Sequence, residues 1–335
     1  MTLGVSMDAA AHPNDVSWEL QAPAPAVLAF DLGGTRIKAG IVREACVSSL
    51  QVEPTDDREE SAALAALLRL GHRMMGTRDV AAVGVSVKGI VDPVGGVVRD
   101  VKERLVGLVG QPLAAILAQE FGRPAFVEND ARMYALGEWS HGAGHGHRNV
   151  VCLTLGTGVG SGVVLGGRLL RGPRGVGGIL AGHATVKVNG PTCTCGNVGC
   201  LEAVIGTAGF VRMADEAMTR DPSPSVLRHI PRTPQHIFEA AARGDALAST
   251  LTHTFATYLG AGVVSAIHAY DPDIVVLGGG MMHSFAPFLP CVQAYVDAHA
   301  WTVPRGRVRI VPAVLGDTAA LIGVAALATQ ADSLS

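Results

Sequence analysis

The chain carries one glycine-rich hairpin pattern twice, and this repeat constrains its fold more than any other feature. The first copy begins at Ala26 and reads AVLAFDLGGTRIKAGIV; the second begins at Val150 and reads VVCLTLGTGVGSGVVLGG. In each copy an apolar strand runs into a Gly-Thr turn and returns as a second strand, which predicts a β-hairpin. The two copies lie about 120 residues apart, which indicates an internal duplication with one hairpin in each of two domains.

The segments around the hairpins alternate between helical and strand patterns. Apolar residues recur at helical spacing over 61–75, 113–120, 131–139, 201–218, 235–242 and 247–270. Short apolar runs that predict strands lie at 80–87, 125–128, 274–277 and 308–311. This alternation predicts an α/β protein with two lobes and an interdomain cleft.

The same pattern predicts where the domains begin and end. Residues 26–147 are expected to form a small α/β domain, completed by a C-terminal helix at 318–330, and residues 148–317 a large one. The Gly- and His-rich stretch 141–147 is the predicted hinge. Residues 1–25 are proline-rich and are predicted to be a flexible arm. A chain of 335 residues is long enough for two domains of ordinary size.

The charge balance excludes some classes of partner. Lys and Arg number 26 and Asp and Glu 29, so no basic field draws the chain to nucleic acid or to an anionic membrane. The N-terminal segment has acidic residues and no apolar run of signal-peptide length. No later segment approaches the roughly 18 uninterrupted apolar residues of a membrane span. We therefore expect a cytoplasmic protein that binds neither nucleic acid nor membrane.

A cluster of metal-binding residue types lies in the second half of the chain. Cys193, Cys195 and Cys200 fall within eight residues, and His183 precedes them by ten. Three thiolates and one imidazole form a set that Zn²⁺ binds in a tetrahedron, with no position left for a reacting water. The pattern therefore favours a structural Zn²⁺ that fixes the loop carrying Glu202, and free thiols are the alternative.

Glycine-rich turns at strand ends are candidate phosphate sites, because glycine lets backbone N–H groups approach a phosphate closely. A carboxylate at such a strand end can also hold Mg²⁺ or its waters. Ordinary turns with no ligand are the alternative at each position. The candidates are Asp31, Gly33, Gly34 and Thr35 in the first copy, Gly156, Thr157 and Gly158 in the second, and Gly278, Gly279 and Gly280 after a later strand.

A third candidate is the sequence Glu128-Asn129-Asp130, between a predicted strand and a predicted helix. Asp130 has two possible roles at this position. It can be the N-cap of the helix, or it can be a general base that takes the proton of an attacking hydroxyl, with Asn129 bonding to neighbouring hydroxyls.

Taken in order, these motifs resemble those of the ROK family, named for repressors, open reading frames and kinases. The motifs are DLGGTRIKAG, GVSVKGIVDP, FVENDARMYALGEW, LTLGTGVGSGVVLGGRLLRG, GHATV, CTCGNVGCLEA and IVVLGGGM. The resemblance runs from about Ala26 to the end of the chain. It implies a two-lobed actin-like ATPase (ribonuclease H-like) fold that closes on ATP, Mg²⁺ and a hexose, phosphorylates the sugar's 6-hydroxyl and forms a homodimer.

The resemblance also implies roles for individual residues. Asp31 matches the metal-associated aspartate, and the three glycine-rich turns match two phosphate loops and the turn near the adenosine. Asp130 matches the catalytic base and Asn129 a sugar-binding residue. His183 matches a histidine that ligates zinc and faces the sugar, and Glu202 matches a glutamate near the anomeric carbon.

The sugar pocket departs from the family pattern at three places. Leu180 stands where the family has a glutamate that binds sugar hydroxyls, Lys88 precedes Gly89 where a proline is common, and Arg104 replaces an asparagine. A missing buried partner for a sugar hydroxyl costs about 1–3 kcal/mol. We therefore expect a hexose or amino hexose other than plain glucose.

Three other functions stay open at this stage. An ordinary glucokinase would result if these substitutions are neutral. A sugar-binding or regulatory protein that no longer catalyses fits Leu180, but Asp130 argues against it. A ROK repressor would need a DNA-binding domain before the first hairpin, and only about 25 residues precede Ala26.

Overall fold

The computed structural model describes residues 25–55, 61–76, 78–102 and 104–332. The predicted flexible arm lies outside these ranges, except for its last residue. Two five-stranded sheets, with helices between and around them, make up the described chain. Within it, no helix combines the length and apolar character of a membrane span.

The first sheet is built from the first half of the chain. Its strands have the order β3-β2-β1-β4-β7, in which β1, β4 and β7 are parallel and β2 and β3 are antiparallel additions. A small separate hairpin, β5–β6, follows β4. The strands are β1 Val27–Leu32, β2 Arg36–Arg43, β3 Cys46–Pro54, β4 Ala82–Val87, β5 Ile90–Asp92, β6 Val97–Asp100 and β7 Ala125–Asn129.

The second sheet repeats the first in the second half of the chain. Its order is β10-β9-β8-β11-β12, so the hairpin β8–β9 takes the place of β1–β2 and the parallel strands β11 and β12 take those of β4 and β7. The duplication predicted from the two hairpin patterns is therefore confirmed. The strands are β8 Val150–Leu155, β9 Val159–Leu165, β10 Arg168–Leu169, β11 Ile274–Gly278 and β12 Arg309–Pro312.

The predicted helices are present, with one correction. The range 201–218 was expected to be one helix, and it is two, separated at Gly206. A Cβ atom there would lie 2.6 Å from the carbonyl oxygen of Glu202 and 2.9 Å from that of Thr157, so the chain bends where only glycine fits. The helices are α1 Ala62–Met75, α2 Leu113–Phe121, α3 Asp130–His141, α4 Leu201–Ile205, α5 Thr207–Arg220, α6 Pro234–Ala242, α7 Ala246–Tyr270, α8 Met282–Phe285, α9 Leu289–His299 and α10 Ala319–Asp332.

Helices α3 and α10 cross between the two sheets. Helix α3 packs on β8 and β9 of the second sheet, whereas α10 packs on β1, β2 and β4 of the first. At the crossing, a Cβ atom on Gly137 would lie 2.0 Å from the carbonyl oxygen of Ala319, and one on Gly323 would lie 1.9 Å from that of Met133. The two helix backbones are therefore in direct contact, and this contact joins the halves of the molecule.

Glu138 fixes the chain where it leaves α3. Its buried carboxylate accepts hydrogen bonds from the backbone N–H groups of Ala143, Val314 and Leu315. The first of these lies in the predicted hinge, and the other two precede α10. Because a buried carboxylate is stable only when it is hydrogen-bonded, Glu138 holds both segments against α3.

Candidate active site and metal centre

Asn129 and Asp130 lie where β7 ends and α3 begins. The Asn129 side-chain oxygen accepts a hydrogen bond from the N–H of Arg132 (3.0 Å), so Asn129 is the N-cap of α3. Its amide nitrogen donates to the carbonyl oxygen of Gly89 (2.8 Å) and to Asp130 Oδ1 (3.0 Å). The capping role considered for Asp130 is therefore wrong, since the preceding residue performs it. Asp130 is the first residue inside the helix.

The carboxyl group of Asp130 has a pKa well above that of an ordinary aspartate. Burial first, and then the neighbouring charge of Asp31, raise its pKa, the N–H of Ala131 and the cation of Lys88 lower it, and the net result is a pKa of about 6. Ala131 donates to Asp130 Oδ1 at 2.8 Å. A carboxyl group with such a pKa can exchange protons at the pH where most enzymes work.

Asp31 lies near the end of β1 with two partners on adjacent strands. It pairs with Lys38 on β2 and with Ser86 on β4, so the three side chains share one face of the sheet. Ser86 Oγ donates to Asp31 Oδ1 at 3.0 Å, and Lys38 Nζ lies 3.9 Å from Asp31 Oδ2. Burial raises the pKa of Asp31, and Lys38 opposes this shift.

Sequence reasoning missed Lys38, which also lies 3.2 Å from Asp317 Oδ1. Asp317 lies in the short 3-10 turn Gly316–Thr318 that runs into α10, so Lys38 connects the first hairpin to the start of the crossing helix. The pairing of the two strands in the first hairpin could have predicted the contact between Lys38 and Asp31. A four-residue connection that pairs Leu32 with Ile37 necessarily pairs Asp31 with Lys38.

The two Gly-Thr turns are closed in the same way. The N–H of Gly33 donates to the carbonyl oxygen of Arg36, and the N–H of Gly156 to that of Gly158, each at 3.0 Å. The third turn packs directly on the second, because a Cβ atom on Gly279 would lie 2.4 Å from the carbonyl oxygen of Leu155. The structure therefore places the first turn beside Asp31, and the second and third turns beside each other.

The predicted metal ligands come together. One ligand atom from each of four residues lies within 4.8 Å of all the others, and these residues are His183, Cys193, Cys195 and Cys200. His183 Nδ1 is 3.5 Å from Cys193 Sγ, and the sulfur atoms of Cys195 and Cys200 are 3.7 Å apart. Residues separated by up to 17 positions thus form a group that could hold a metal ion.

Glu202 connects this cluster to the second turn. Its Oε2 accepts a hydrogen bond from the N–H of Val159 (2.9 Å), and a Cβ atom on Gly158 would lie 2.2 Å from the same oxygen. The thiol of Cys193 donates to its other oxygen at 3.8 Å. Glu202 therefore lies against the backbone of the second turn, between that turn and the metal-ligand cluster.

The three departures in the predicted sugar pocket lie at the following places. Lys88 is close enough to Asp130 to lower the pKa of that carboxyl group. A Cβ atom on Gly34 would lie 3.3 Å from Cδ of Arg104, so the Arg104 side chain lies over the first turn. Leu180 precedes the short helical turn that contains His183, and it is 44% exposed.

A buried ion-pair network beside Asn129 was also missed. Glu128 and Arg132 are fully buried and paired at 2.5 Å, and Arg171 reaches the other Glu128 oxygen at 2.7 Å. Glu128 lies on β7 and Arg132 in the first turn of α3, so the helical i,i+4 rule does not by itself predict the first pair. Arg171 lies 43 residues away from Glu128, and no local pattern connects the two.

Comparison with known proteins agrees with this geometry. A sequence profile of the ROK family matches residues 27–331, which is nearly all of the described chain. The chain belongs to the ROK family. It is 33% identical to a glucokinase of Thermotoga maritima over 315 residues, which cover 90% of this chain and 96% of that protein.

Two further relatives show the range of the similarity. The chain is 31% identical to an N-acetylmannosamine kinase of Pasteurella multocida over 274 residues, covering 81% of this chain and 86% of that one. It is also similar to the crystal structure of a ROK family glucokinase from Streptomyces griseus in complex with glucose and AMPPNP. The TM-score is 0.77 at 31% identity, over 91% of this chain and 99% of that one. The expected two-lobed actin-like fold is confirmed.

The raised pKa of Asp130 makes a prediction about stability. An aspartate whose pKa rises from 3.8 to about 6 on folding destabilises the native state at pH values above 6 and has no such effect below pH 3.8. Asp130→Asn keeps the oxygen that accepts from Ala131 and removes the charge. We expect this variant to be more stable than the wild type at pH 8 by up to about 3 kcal/mol, with the gain vanishing by about pH 4.

Denaturant unfolding of both proteins at several pH values measures this difference. Asp79→Asn is the matched control, because Asp79 is an exposed aspartate paired with Arg123 on the surface. We expect no pH-dependent gain from it. If Asp130→Asn is as stable as the wild type at pH 8, or less stable, then folding does not disfavour the ionised form of Asp130.

Proposed function

We propose that this chain, an ATP-dependent sugar kinase, transfers the terminal phosphoryl group of ATP to the 6-hydroxyl of a hexose or amino hexose other than plain glucose. The observation that carries the proposal is Asp130, a carboxyl group with a pKa of about 6 at a helix start, beside Asp31 and the first glycine turn. Its relatives of 31–33% identity include a glucokinase and an N-acetylmannosamine kinase.

The chain's own residues supply mainly positioning, which is what phosphoryl transfer requires. Asp130 accepts the proton of the sugar hydroxyl as that hydroxyl attacks the phosphorus. Asn129 and Gly89 hold Asp130 in place through the Asn129 amide. The N–H groups of Gly33 and Gly156 close their own turns, so the other backbone N–H groups of the two Gly-Thr turns would face the phosphates and stabilise the charge that develops on them. The two proposed lobes close on the substrates. One lobe is residues 26–147 together with helix 318–330, and the other is residues 148–317.

The residues at Asp31 fit a nucleotide-bound Mg²⁺. Ser86 takes one oxygen of the Asp31 carboxylate, and Lys38 lies 3.9 Å from the other, beyond hydrogen-bond distance. That second oxygen is therefore the one that would hold the ion or its waters. When Mg²⁺ is bound, it neutralises part of the phosphate charge.

The four-residue cluster fits Zn²⁺, since three thiolates and an imidazole are the donors that a structural zinc site uses. With four protein ligands the ion would be structural. His183 would then present its ring edge to the sugar, and Glu202 would bind near the anomeric carbon. A homodimer in the cytoplasm completes the proposal, by analogy with the family.

Replacing the proposed base should greatly slow turnover. We expect Asp130→Asn to lower kcat by about 100-fold or more, because only proton transfer in the transition state is lost, while the KM values for sugar and ATP stay close to those of the wild type. For the wild type, kcat/KM should rise with pH through about 6, as Asp130 loses its proton. Steady-state assays of ADP release give both results. Retention of more than about a tenth of kcat would remove Asp130 from this role.

The altered pocket should select a sugar other than glucose. Leu180 removes a carboxylate, and Lys88 and Arg104 add positive charge near Asp130 and the first turn. An anionic substituent would gain from these cations, and a modified amino sugar from the space at Leu180. ADP release should be measured with glucose, mannose, glucosamine, kanosamine, N-acetylated hexosamines and sugar acids. We expect at least one of these sugars to exceed glucose in kcat/KM.

A matched variant tests the cause of this selectivity. Leu180→Glu restores the missing carboxylate, and it should raise kcat/KM for glucose by about tenfold relative to the preferred sugar, since a hydroxyl partner contributes about 1–3 kcal/mol. If glucose equals or exceeds every other sugar with the wild type, the protein is an ordinary glucokinase and the substitutions are neutral.

Zinc should be present in stoichiometric amount. We expect one tightly held Zn²⁺ per chain by elemental analysis of protein purified without added metal, because the four ligands lie within 4.8 Å of one another. Cys195→Ser should lower both the zinc content and the melting temperature. Cys291→Ser, at an exposed cysteine in α9, is the control and should change neither. Zinc-free protein that is folded and active would contradict the assignment.

A further inference from the structure

Glu128 is the shared acceptor of a charged network next to the proposed base. Its buried carboxylate accepts three hydrogen bonds: from the N–H of Asn129 (2.9 Å), from Arg132 Nη1 (2.5 Å) and from Arg171 Nε (2.7 Å). The first two donors belong to the strand end and helix start that carry Asp130. The third comes from the segment that follows β10. The proposed mechanism assigns no task to this network.

The two arginines attach a loop of the second half of the chain to β7 and α3. Arg132 Nη2 donates to the carbonyl oxygens of Gly175 (3.0 Å) and Gly177 (2.9 Å), and Arg171 begins the same loop. A Cβ atom on Gly175 would lie 2.4 Å from the carbonyl oxygen of Val91, so the loop also touches β5. Residues 171–177 therefore lie against elements of the first half.

The far end of this loop carries two proposed sugar-pocket residues. Ser161 Oγ on β9 donates to the carbonyl oxygen of Gly178 and accepts from the N–H of Ala181. Leu180 and His183 flank that second contact. The segment 171–183 is thus held at its start by Glu128 and at its end by Ser161.

We propose that Arg171 and Glu128 are positioning residues. Their ion pair sets the loop that carries Leu180 and His183 against the strand end that carries Asp130, and so fixes the distance between a sugar's reacting hydroxyl and the base. The proposal rests on the proposed function, because it assigns to this contact the alignment of that function's sugar. A misplacement of about 1 Å can lower an enzyme's rate about 100-fold.

The charges of Glu128, Arg132 and Arg171 show that Arg171 can be removed without leaving a buried charge unpaired. Glu128 and Arg132 are both fully buried, and as a pair they compensate each other. Arg171 adds a second cation to the same carboxylate, and its side chain is 33% exposed. Removing Arg171 leaves the buried pair intact, whereas removing Glu128 leaves Arg132 buried without its partner. Arg171 is therefore the residue to change.

The test is Arg171→Met, which keeps the apolar stem and removes the guanidinium. We expect kcat/KM for the best sugar of the panel to fall by about 10- to 100-fold, with the KM for ATP changed by less than about twofold. Arg171→Lys, which can donate one hydrogen bond to Glu128, should recover part of the loss. Arg174→Met, at an exposed arginine of the same loop, is the control and should match the wild type.

A second measurement reports the loop directly. Hydrogen exchange of the backbone amides of residues 172–182 should be faster in Arg171→Met than in the wild type, and the melting temperature should be unchanged. Equal kcat/KM values for Arg171→Met and wild type would overturn the positioning role alone. If kcat/KM falls equally for the sugar and for ATP, and the melting temperature is lower, then Arg171 has a structural role instead. If the wild type phosphorylates no sugar, the proposed function itself fails.

Discussion

The contact between the α3 and α10 backbones is the constraint on which the rest of this structure depends. At Gly137 and Gly323 the facing carbonyl oxygens occupy the places where Cβ atoms would be, so the helices meet without intervening side chains. Each helix packs on a different sheet. The separation of the two sheets is therefore set by main-chain contact, which is shorter and stiffer than a contact between side chains.

Helix α3 connects this crossing to the proposed active site. Its first residue is Asp130, its third is Arg132, which holds the loop before Leu180, and its ninth is Glu138, which holds the segment before α10. In between, the hydroxyl of Tyr134 would lie 2.5 Å from a Cβ atom on Gly278, at the third glycine turn. One helix thus contacts parts of the chain that carry the proposed base, the proposed sugar pocket and the proposed nucleotide site. A shift of α3 would move all of these groups relative to one another.

Much of this arrangement could be predicted from the sequence because it follows from local patterns. The hairpins come from apolar strands around Gly-Thr turns, and the metal-ligand cluster from closely spaced cysteines after His183. Local patterns cannot decide between Asn129 and Asp130 as the helix cap, since both side chains can accept the capping N–H bond. They also cannot find Arg171, whose partner is 43 residues earlier. Long-range pairing of charges depends on how the loops close, and that is a property of the folded chain.

Several polar groups near the proposed base and near the second turn already have hydrogen-bond partners within the protein. The Asn129 amide donates to Gly89 and Asp130, and one oxygen of Glu202 accepts from Val159. Glu128 is occupied by two arginines and a backbone N–H. These polar groups are therefore largely committed to holding the protein together. Leu180 stands where the resemblance to the family implies a further carboxylate. Among the substitutions proposed to alter the pocket, Lys88 lies close enough to the Asp130 carboxyl group to lower its pKa, so an anionic sugar substituent beside Lys88 would gain a charge-assisted contact that a neutral hydroxyl would not.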